Sequence, residues 1–282
     1  MPELPEVETT LRGISPVILQ QKIVRTTVRN PRLHWPIPSN IGALLQDGIV
    51  SSMRRRGKYL LIGVSPPIQD ANKPHGTLII HLGMSGSLTL SPCGTPHGKH
   101  DHFDIDFGNG QTMRLRDPRR FGSVLWHQGD PMDHFLLKNL GLEPLSADFT
   151  GEFLFLATRG KSSPIKMLLM DSHHVVGIGN IYANESLFMA GVRPTLAARR
   201  LSRKRCDTLA SCVRDVLLES IEKGGSSLRD FVGSHGESGH FQEHCRVYGR
   251  GGEGCPVCGS IVRRVLLGGR SSFYCPSCQK AA

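Results

Sequence analysis

The sequence predicts an α+β protein of several domains. Three observations carry this reading. Between Lys22 and Trp126 the chain is a series of short β-rich runs separated by Gly, Pro and Asn breakers. After Gly151 the apolar residues change to helical spacing. Near the end stand two Cys-x-x-Cys pairs. A length of 282 residues is enough for two domains and a sizeable core.

The first element is a helix that begins almost at once. Val7, Leu11, Ile14 and Ile18 recur at helical spacing. Pro5 suits the first turn, where its missing N–H costs nothing. Glu3, Glu6 and Glu8 lie near the positive end of the helix dipole. The opening Met1-Pro2-Glu3-Leu4-Pro5-Glu6 also has a chemical reading. Loss of Met1 exposes Pro2 as a secondary amine, ordinarily of pKa about 7.7–8.0. Such an amine is partly neutral near pH 7 and attacks carbonyl carbon, and Glu3 is the nearest acid. On the hexapeptide alone, a proline-rich and acidic helix start is the plainer reading.

The strands follow. Lys22–Asn30 places Val24, Thr26 and Val28 on one face. Tyr59–Val64, Thr77–Leu82, Phe103–Phe107 and Phe121–Trp126 are further runs, and Asn109-Gly110 is a strong hairpin signal. These make a β-sandwich with the first helix packed on it, over residues 2–130. Ser65–Gly76, with three prolines, reads as a surface loop. Residues 131–150 lose strand character and read as a linker. Residues 151–232 read as a helical domain. There Ser163-Pro164 is a cap with proline at the first helical position. Ser202 caps a longer helix reaching about Lys223, with the stripe Cys206, Leu209, Val213, Val216, Leu217 and Ile221. That stripe is core packing. Arg199, Arg200, Arg203, Lys204 and Arg205 around its start read as a solvated basic face, with a phosphate patch as the lesser alternative. Residues 233–244, rich in Gly, Ser and His, read as a mobile loop, and 245–282 as a compact metal module.

The net charge is +10, which points to a polyanionic partner, most often nucleic acid. Hydrophobic residues make up 39% and no apolar run reaches membrane-spanning length, so a soluble chain with no membrane partner is expected. The start has acids and prolines where a secretory signal has an apolar stretch. A cytoplasmic location follows, which favours metal ligation over disulfides for the eight cysteines.

The strongest chemical signal is Cys255-Pro256-Val257-Cys258, then sixteen residues, then Cys275-Pro276-Ser277-Cys278. Four thiolates in paired knuckles fit one tetrahedral zinc with a closed shell, hence a structural site; iron is the lesser alternative. Ile261–Leu267 and Ser271–Tyr274 form a hairpin between them, with Gly268-Gly269 near its turn. Arg263, Arg264 and Arg270 on it are candidate phosphate contacts. The second signal is Val175-Val176-Gly177-Ile178-Gly179-Asn180 ahead of a helix Ile181–Met189. Such a glycine turn presents N–H groups to an anion. Asn180, with Lys161 and Lys166 upstream, joins it, although a Gly-x-Gly turn alone is weak. The third is Met84 in His81–Gly86 with Arg119 and Phe121 in Asp117–Gly122. An unbranched apolar chain, a guanidinium and a ring fill a gap in a base stack. By spacing alone Met84 and Phe121 read as core. Lys58, after Arg54-Arg55-Arg56-Gly57, reads as beginning a strand in a basic cluster, with an exposed basic turn as the plainer alternative.

These blocks together resemble the formamidopyrimidine-DNA glycosylase family of bacterial base-excision repair. The matching segments are Pro2–Glu8, Arg56–Leu60, His81–Gly86, Lys99–His102, Asp117–Gly122, Val176–Tyr182, Val247–Arg250 and the four-cysteine finger, in order along the whole chain. The resemblance implies an N-terminal β-sandwich with flanking helices, a helix–two-turn–helix domain, a C-terminal zinc finger and duplex DNA in the cleft, bound by a monomer in the nucleoid. It implies that Pro2 attacks C1′ of an oxidised purine nucleotide, such as 8-oxoguanine or a formamidopyrimidine, to form a Schiff base. Glu3 would be the proton donor, Lys58 would assist β-elimination and Arg270 δ-elimination. His100, Arg119 and Lys161 match the family's DNA contacts, with Lys166 and Asn180 adding phosphate contacts. Met84, Arg119 and Phe121 would fill the void of the flipped base, Arg119 facing the estranged cytosine. Two departures stand out: Glu237-Ser238-Gly239-His240-Phe241 replaces a Lys-Pro-Gly-Tyr-Phe-like run, and Cys245 replaces an aliphatic residue. A sister enzyme for oxidised pyrimidines and a non-catalytic damage binder are the competing readings. The Leu4-Pro5 start and the Met84/Arg119/Phe121 set favour the first reading over the sister enzyme. Pro2, Glu3 and Lys58 together speak against the binder.

Overall fold

In the computed structural model, residues 1–66, 75–226 and 241–280 are described. The chain divides into two compact units, Met1–Lys138 with Lys223–His240, and Asn139–Glu222 with Phe241–Ala282. Among the described residues no helix is long and apolar enough to cross a membrane.

The first unit opens with helix α1 (Leu4–Ile18), with proline in its first turn. Its Val7, Ile14 and Ile18 are fully buried and Leu11 packs partly, as the spacing predicts. The helix lies against two antiparallel four-stranded sheets. One orders β2 (Ile49–Arg56), β3 (Tyr59–Ser65), β4 (Gly76–His81) and β8 (Ser123–Gln128). The other orders β1 (Ile23–Val28), β6 (Asp101–Phe107), β7 (Gln111–Arg116) and β5 (Ser87–Pro92). One apolar cluster takes residues from α1 and both sheets, including Ile14, Leu60, Ile80, Phe103 and Leu115. A small helix, α2 (Ile41–Leu45), adds Ile41 and Leu45 to it.

Three details differ from expectation. Strand β1 does not bury Val24, which is 49% exposed. Ile23 is buried instead, because a bulge between Ile23 and Arg25 breaks the alternation. Strand β2 escapes sequence reading because it is polar. Its Arg55 is nevertheless half-buried, donating to Glu8 Oε2 at 2.9 Å and so tying β2 to α1. Although burial pushes the Glu8 carboxyl up, the hydrogen bonds and charges of Arg55 and Arg12 hold it below the ordinary range. Lys58 does not begin a strand: Arg56 pairs with Tyr59, leaving Gly57-Lys58 as the hairpin turn with Gly57 at φ +56°. Of the expected loop Ser65–Gly76, residues 67–74 lie outside the described residues.

The second unit is helical with an appended hairpin. It holds α3 (Gly151–Thr158), α4 (Ile165–Leu169), α5 (Asn180–Met189) and α6 (Arg203–Glu222). The stripe of α6 is buried from Cys206 to Ile221, as expected of core. Pro164 stands at the N-cap of α4 and not at its first helical position as expected, and no side chain, Ser163 included, caps the helix. Strands β9 (Arg263–Leu267) and β10 (Arg270–Tyr274) pair about Gly268-Gly269. Of the expected loop 233–244, residues 233–240 lie outside the described residues, and Phe241–His244 form a 3₁₀ turn.

Candidate active site and metal centre

At the start of α1 the capping group is Glu6. Glu3 N–H donates to Glu6 Oε2 at 2.8 Å, and the N–H and hydroxyl of Ser226 donate to Oε1 at 2.7 and 2.8 Å. This satisfies helix-end donors and pins the first residues. Pro2 is buried and Glu3 is 3% exposed. Met1 lines a mainly apolar cavity of about 500 Å³ with His34, Trp35, Tyr59, His81, Met84 and Phe121. Met84 and Phe121 are therefore not core: they are 39% and 44% exposed and face one cavity. The Arg119 guanidinium stacks 4.9 Å from the Phe121 ring centre.

Buried Asp117 organises this group. Its Oδ1 accepts from Ser85 Oγ at 2.8 Å and its Oδ2 from Gly122 N–H at 2.8 Å. Arg119 N–H reaches Ser85 Oγ at 3.2 Å and Asp117 Oδ1 at 3.3 Å. His102 Nε2 donates to the Asp117 carbonyl at 2.9 Å, and the Asp117 N–H to the carbonyl of His100 at 3.0 Å. A side chain at Gly83, which sits at φ +63°, would collide with the Phe121 carbonyl carbon. The turns bearing Met84 and Phe121 touch backbone to backbone, and only glycine permits it.

His81 shares the cavity and takes the Gly83 N–H on Nδ1 at 3.1 Å. Burial, then the positive charge of Lys58 and the neighbouring His34, lower its pKa to about 4, against an opposing pull from Asp117. It is therefore neutral near pH 7, and Lys58 in its turn stands close enough to matter. His100, half-buried, lies between Lys99 and His102, which line a basic cavity of about 610 Å³ with Arg29 and Arg32.

In the second unit, Lys161 and Arg270 line one cavity of about 340 Å³ with Ser163, Asp171 and His174. Lys166 is fully buried. Its Nζ donates to Asn180 Oδ1 at 2.5 Å, Ser272 Oγ at 2.6 Å and the Ser271 carbonyl at 3.2 Å. Asn180 Nδ2 donates to the same carbonyl at 3.1 Å.

The sulfurs of Cys255, Cys258, Cys275 and Cys278 lie within 4.8 Å of one another. Cys258 and Cys275 are 3.4 Å apart and Cys255 and Cys278 are 3.9 Å apart. Four thiolates about 2.3 Å from one zinc would stand roughly 3.8 Å apart at tetrahedral angles, so the set fits the ion. Burial and the neighbouring sulfurs push the Cys278 thiol up to about 12. A divalent cation removes that opposition to ionisation.

Comparison with known proteins agrees with this geometry. The formamidopyrimidine-DNA glycosylase N-terminal domain matches residues 1–124, the H2TH domain of the same enzymes residues 140–232, and the zinc finger found in FPG and IleRS residues 252–281. The formamidopyrimidine-DNA glycosylase of Syntrophotalea carbinolica is 50% identical over 280 residues, covering 99% of this chain and 100% of that one. The chain belongs to the formamidopyrimidine-DNA glycosylase family. As a formamidopyrimidine-DNA glycosylase it is a DNA glycosylase of base excision repair, and its four cysteines hold one structural zinc. The MutM (Fpg) structure from Thermus thermophilus superposes with a TM-score of 0.85 at 36% identity, covering 99% of this chain and 98% of that one. A Lactococcus lactis Fpg complex with abasic-site DNA superposes at 0.88 with 31% identity, covering 99% of each chain.

Sequence reasoning on this glycosylase missed His81, Asp117 and Glu6 as organisers. His81 and Asp117 did sit inside the quoted motifs, as ends of turns. The departing run Glu237–His240 lies outside the described residues.

Proposed function

We propose that this glycosylase excises oxidised purines, 8-oxoguanine and formamidopyrimidines, from duplex DNA through a Schiff base at Pro2, and then nicks the strand by β,δ-elimination. The observation that carries this reading is the cavity that Met1 shares with Met84 and Phe121. Once Met1 is lost, the Pro2 amine stands at the edge of the space that the void-filling side chains occupy. An amine attacking C1′ expels the base and leaves an iminium. The C2′ proton then becomes acidic, so one nucleophile serves both steps. Glu3, buried beside Pro2, is the proton donor. Lys58 assists β-elimination and Arg270 δ-elimination. His100, Arg119 and Lys161 hold the DNA, with the backbone N–H of Asn180 at the start of α5 facing a phosphate. Met84, Arg119 and Phe121 fill the gap left by the flipped nucleotide, at a flipping cost of a few kcal/mol.

The working division is 2–130 catalytic sandwich, 131–150 linker, 151–232 helix–two-turn–helix, 233–244 lesion loop and 245–282 finger. The protein works as a cytoplasmic monomer on the nucleoid, with a net charge of +10 supplying salt-sensitive affinity. Lactococcus lactis Fpg complexes with Fapy-dG DNA and with an oxidised-pyrimidine DNA support a damaged duplex as the substrate.

The test is borohydride trapping on an 8-oxoguanine duplex, with the mass of the N-terminus determined in parallel. Material lacking Met1 forms a covalent adduct; material retaining it, or N-acetylated at Pro2, forms none. Equal trapping by all three forms rejects the Pro2 mechanism, and clear preference for a pyrimidine glycol rejects the purine assignment.

A further inference from the structure

Lys166 is unusual in being a fully buried ammonium. Removing such a charge from water is costly unless oxygens replace the hydration shell. Three oxygens do so here: Asn180 Oδ1, Ser272 Oγ and the Ser271 carbonyl. Three donors on a tetrahedral nitrogen match this arrangement, and no neutral side chain supplies all three. Because Oδ1 of Asn180 takes the lysine proton, its Nδ2 is turned to the Ser271 carbonyl. The start of α5 and the start of β10 are thus held on one cation. A turn further on, Asn184 Oδ1 accepts the Phe273 N–H at 2.7 Å and continues the seam.

The gripped residues directly follow Arg270. On its other side are Gly268 and Gly269, at φ +53° and +73°, a turn whose backbone is intrinsically loose. A Cβ at Gly268 would meet Met167 Cε at 2.5 Å, so the turn rests on the residue next to Lys166. Neighbouring residues of α4 therefore hold the hairpin tip, one by a charge and one by contact. Arg270 itself is exposed and faces the cavity it shares with Lys161. Lys166 is not placed to touch a phosphate.

We propose that Lys166 is a positioning residue for δ-elimination: its ammonium, by gripping Asn180, Ser271 and Ser272, fixes where Arg270 stands in the cavity. In β-elimination the C2′ proton leaves and the C3′–O3′ bond breaks. In δ-elimination a C4′ proton leaves the conjugated imine and the C5′–O5′ bond breaks, with phosphate departing next to Arg270. Loosening the tip should affect the second step and spare the first. The inference rests on the role given to Arg270 above.

The test follows a pre-formed abasic-site duplex under single turnover and resolves β from δ products. Lys166→Met should leave β-cleavage within about twofold of the parent and lower the δ-to-β product ratio at least tenfold. Ser272→Ala, which deletes one acceptor and keeps the charge, should lower the ratio in the same direction by less. General loosening of the fold would slow both steps together. Bound zinc and the thermal midpoint are measured on each variant; if Lys166→Met loses zinc, Ser272→Ala decides. An unchanged ratio in a folded Lys166→Met, or in Ser272→Ala if that variant decides, overturns the inference, and so do parallel losses of both steps. Arg270→Ala separates the two claims: if it still makes δ product, the reading of Arg270 fails. If it loses δ product while Lys166→Met keeps it, only the role of Lys166 fails.

Discussion

Ser85 Oγ donates to Asp117 Oδ1 across 2.8 Å, and that bond ties the turn bearing Met84 to the turn bearing Arg119 and Phe121. The second carboxylate oxygen takes the Gly122 N–H, so the Phe121 turn is held from both ends. A side chain proposed to enter a base stack has to keep its place, and a buried hydrogen-bond network favours this.

Asp117→Asn should therefore cost about 1–3 kcal/mol of stability, since an amide cannot accept on both sides and leaves buried donors unmet. Thermal or urea unfolding measures this. The same variant should lose roughly tenfold in affinity for lesion duplex, about 1.4 kcal/mol, while undamaged duplex binding changes little. Equal losses on both duplexes would show that Asp117 serves the fold alone.

Phe121→Ala should slow base release from an 8-oxoguanine duplex and spare cleavage at a pre-formed abasic site. Stacking of a base on a ring contributes about 1–3 kcal/mol, so the expected loss is about 10- to 100-fold. Phe121 is 44% exposed, so the fold should tolerate the change. Single-turnover rates on the two substrates decide it.

His81 makes stability depend on pH. Its folded pKa is lowered to about 4, below its ordinary 6.5, by burial first and then by Lys58 and His34. Below the ordinary value the unfolded chain takes the proton more readily than the folded one. Its contribution is thus fully present above about pH 6.5 and is lost as pH falls towards 4. His81→Gln should flatten the thermal midpoint over that window, and a parallel fall in both proteins would assign the effect to other groups.

Cys275→Ser, or removal of zinc by a chelator, should unfold the C-terminal module, because metal binding there is folding free energy. Zinc content should fall from one per chain towards zero and duplex affinity by at least tenfold. Undiminished duplex binding by zinc-free protein would remove the finger from the DNA-binding apparatus.

The residues themselves determined much of this protein. The stripe of α6, the start of α1 at its prolines, the β6–β7 hairpin at Asn109-Gly110 and the four cysteines were legible because each is a short-range pattern. Periodicity, turn chemistry and ligand spacing act within a few residues. Tertiary structure alone decided that Met84 and Phe121 face a cavity, that Lys58 sits in a turn and that Lys166 is buried. It also decided that Asp117 is a hub. These outcomes depend on partners far apart along the chain. Ser85 and Asp117 are separated by 32 residues and Lys166 and Ser271 by 105. A local window cannot distinguish a cation spent on a phosphate from one spent on a backbone carbonyl, because the acceptor arrives only when the chain has folded.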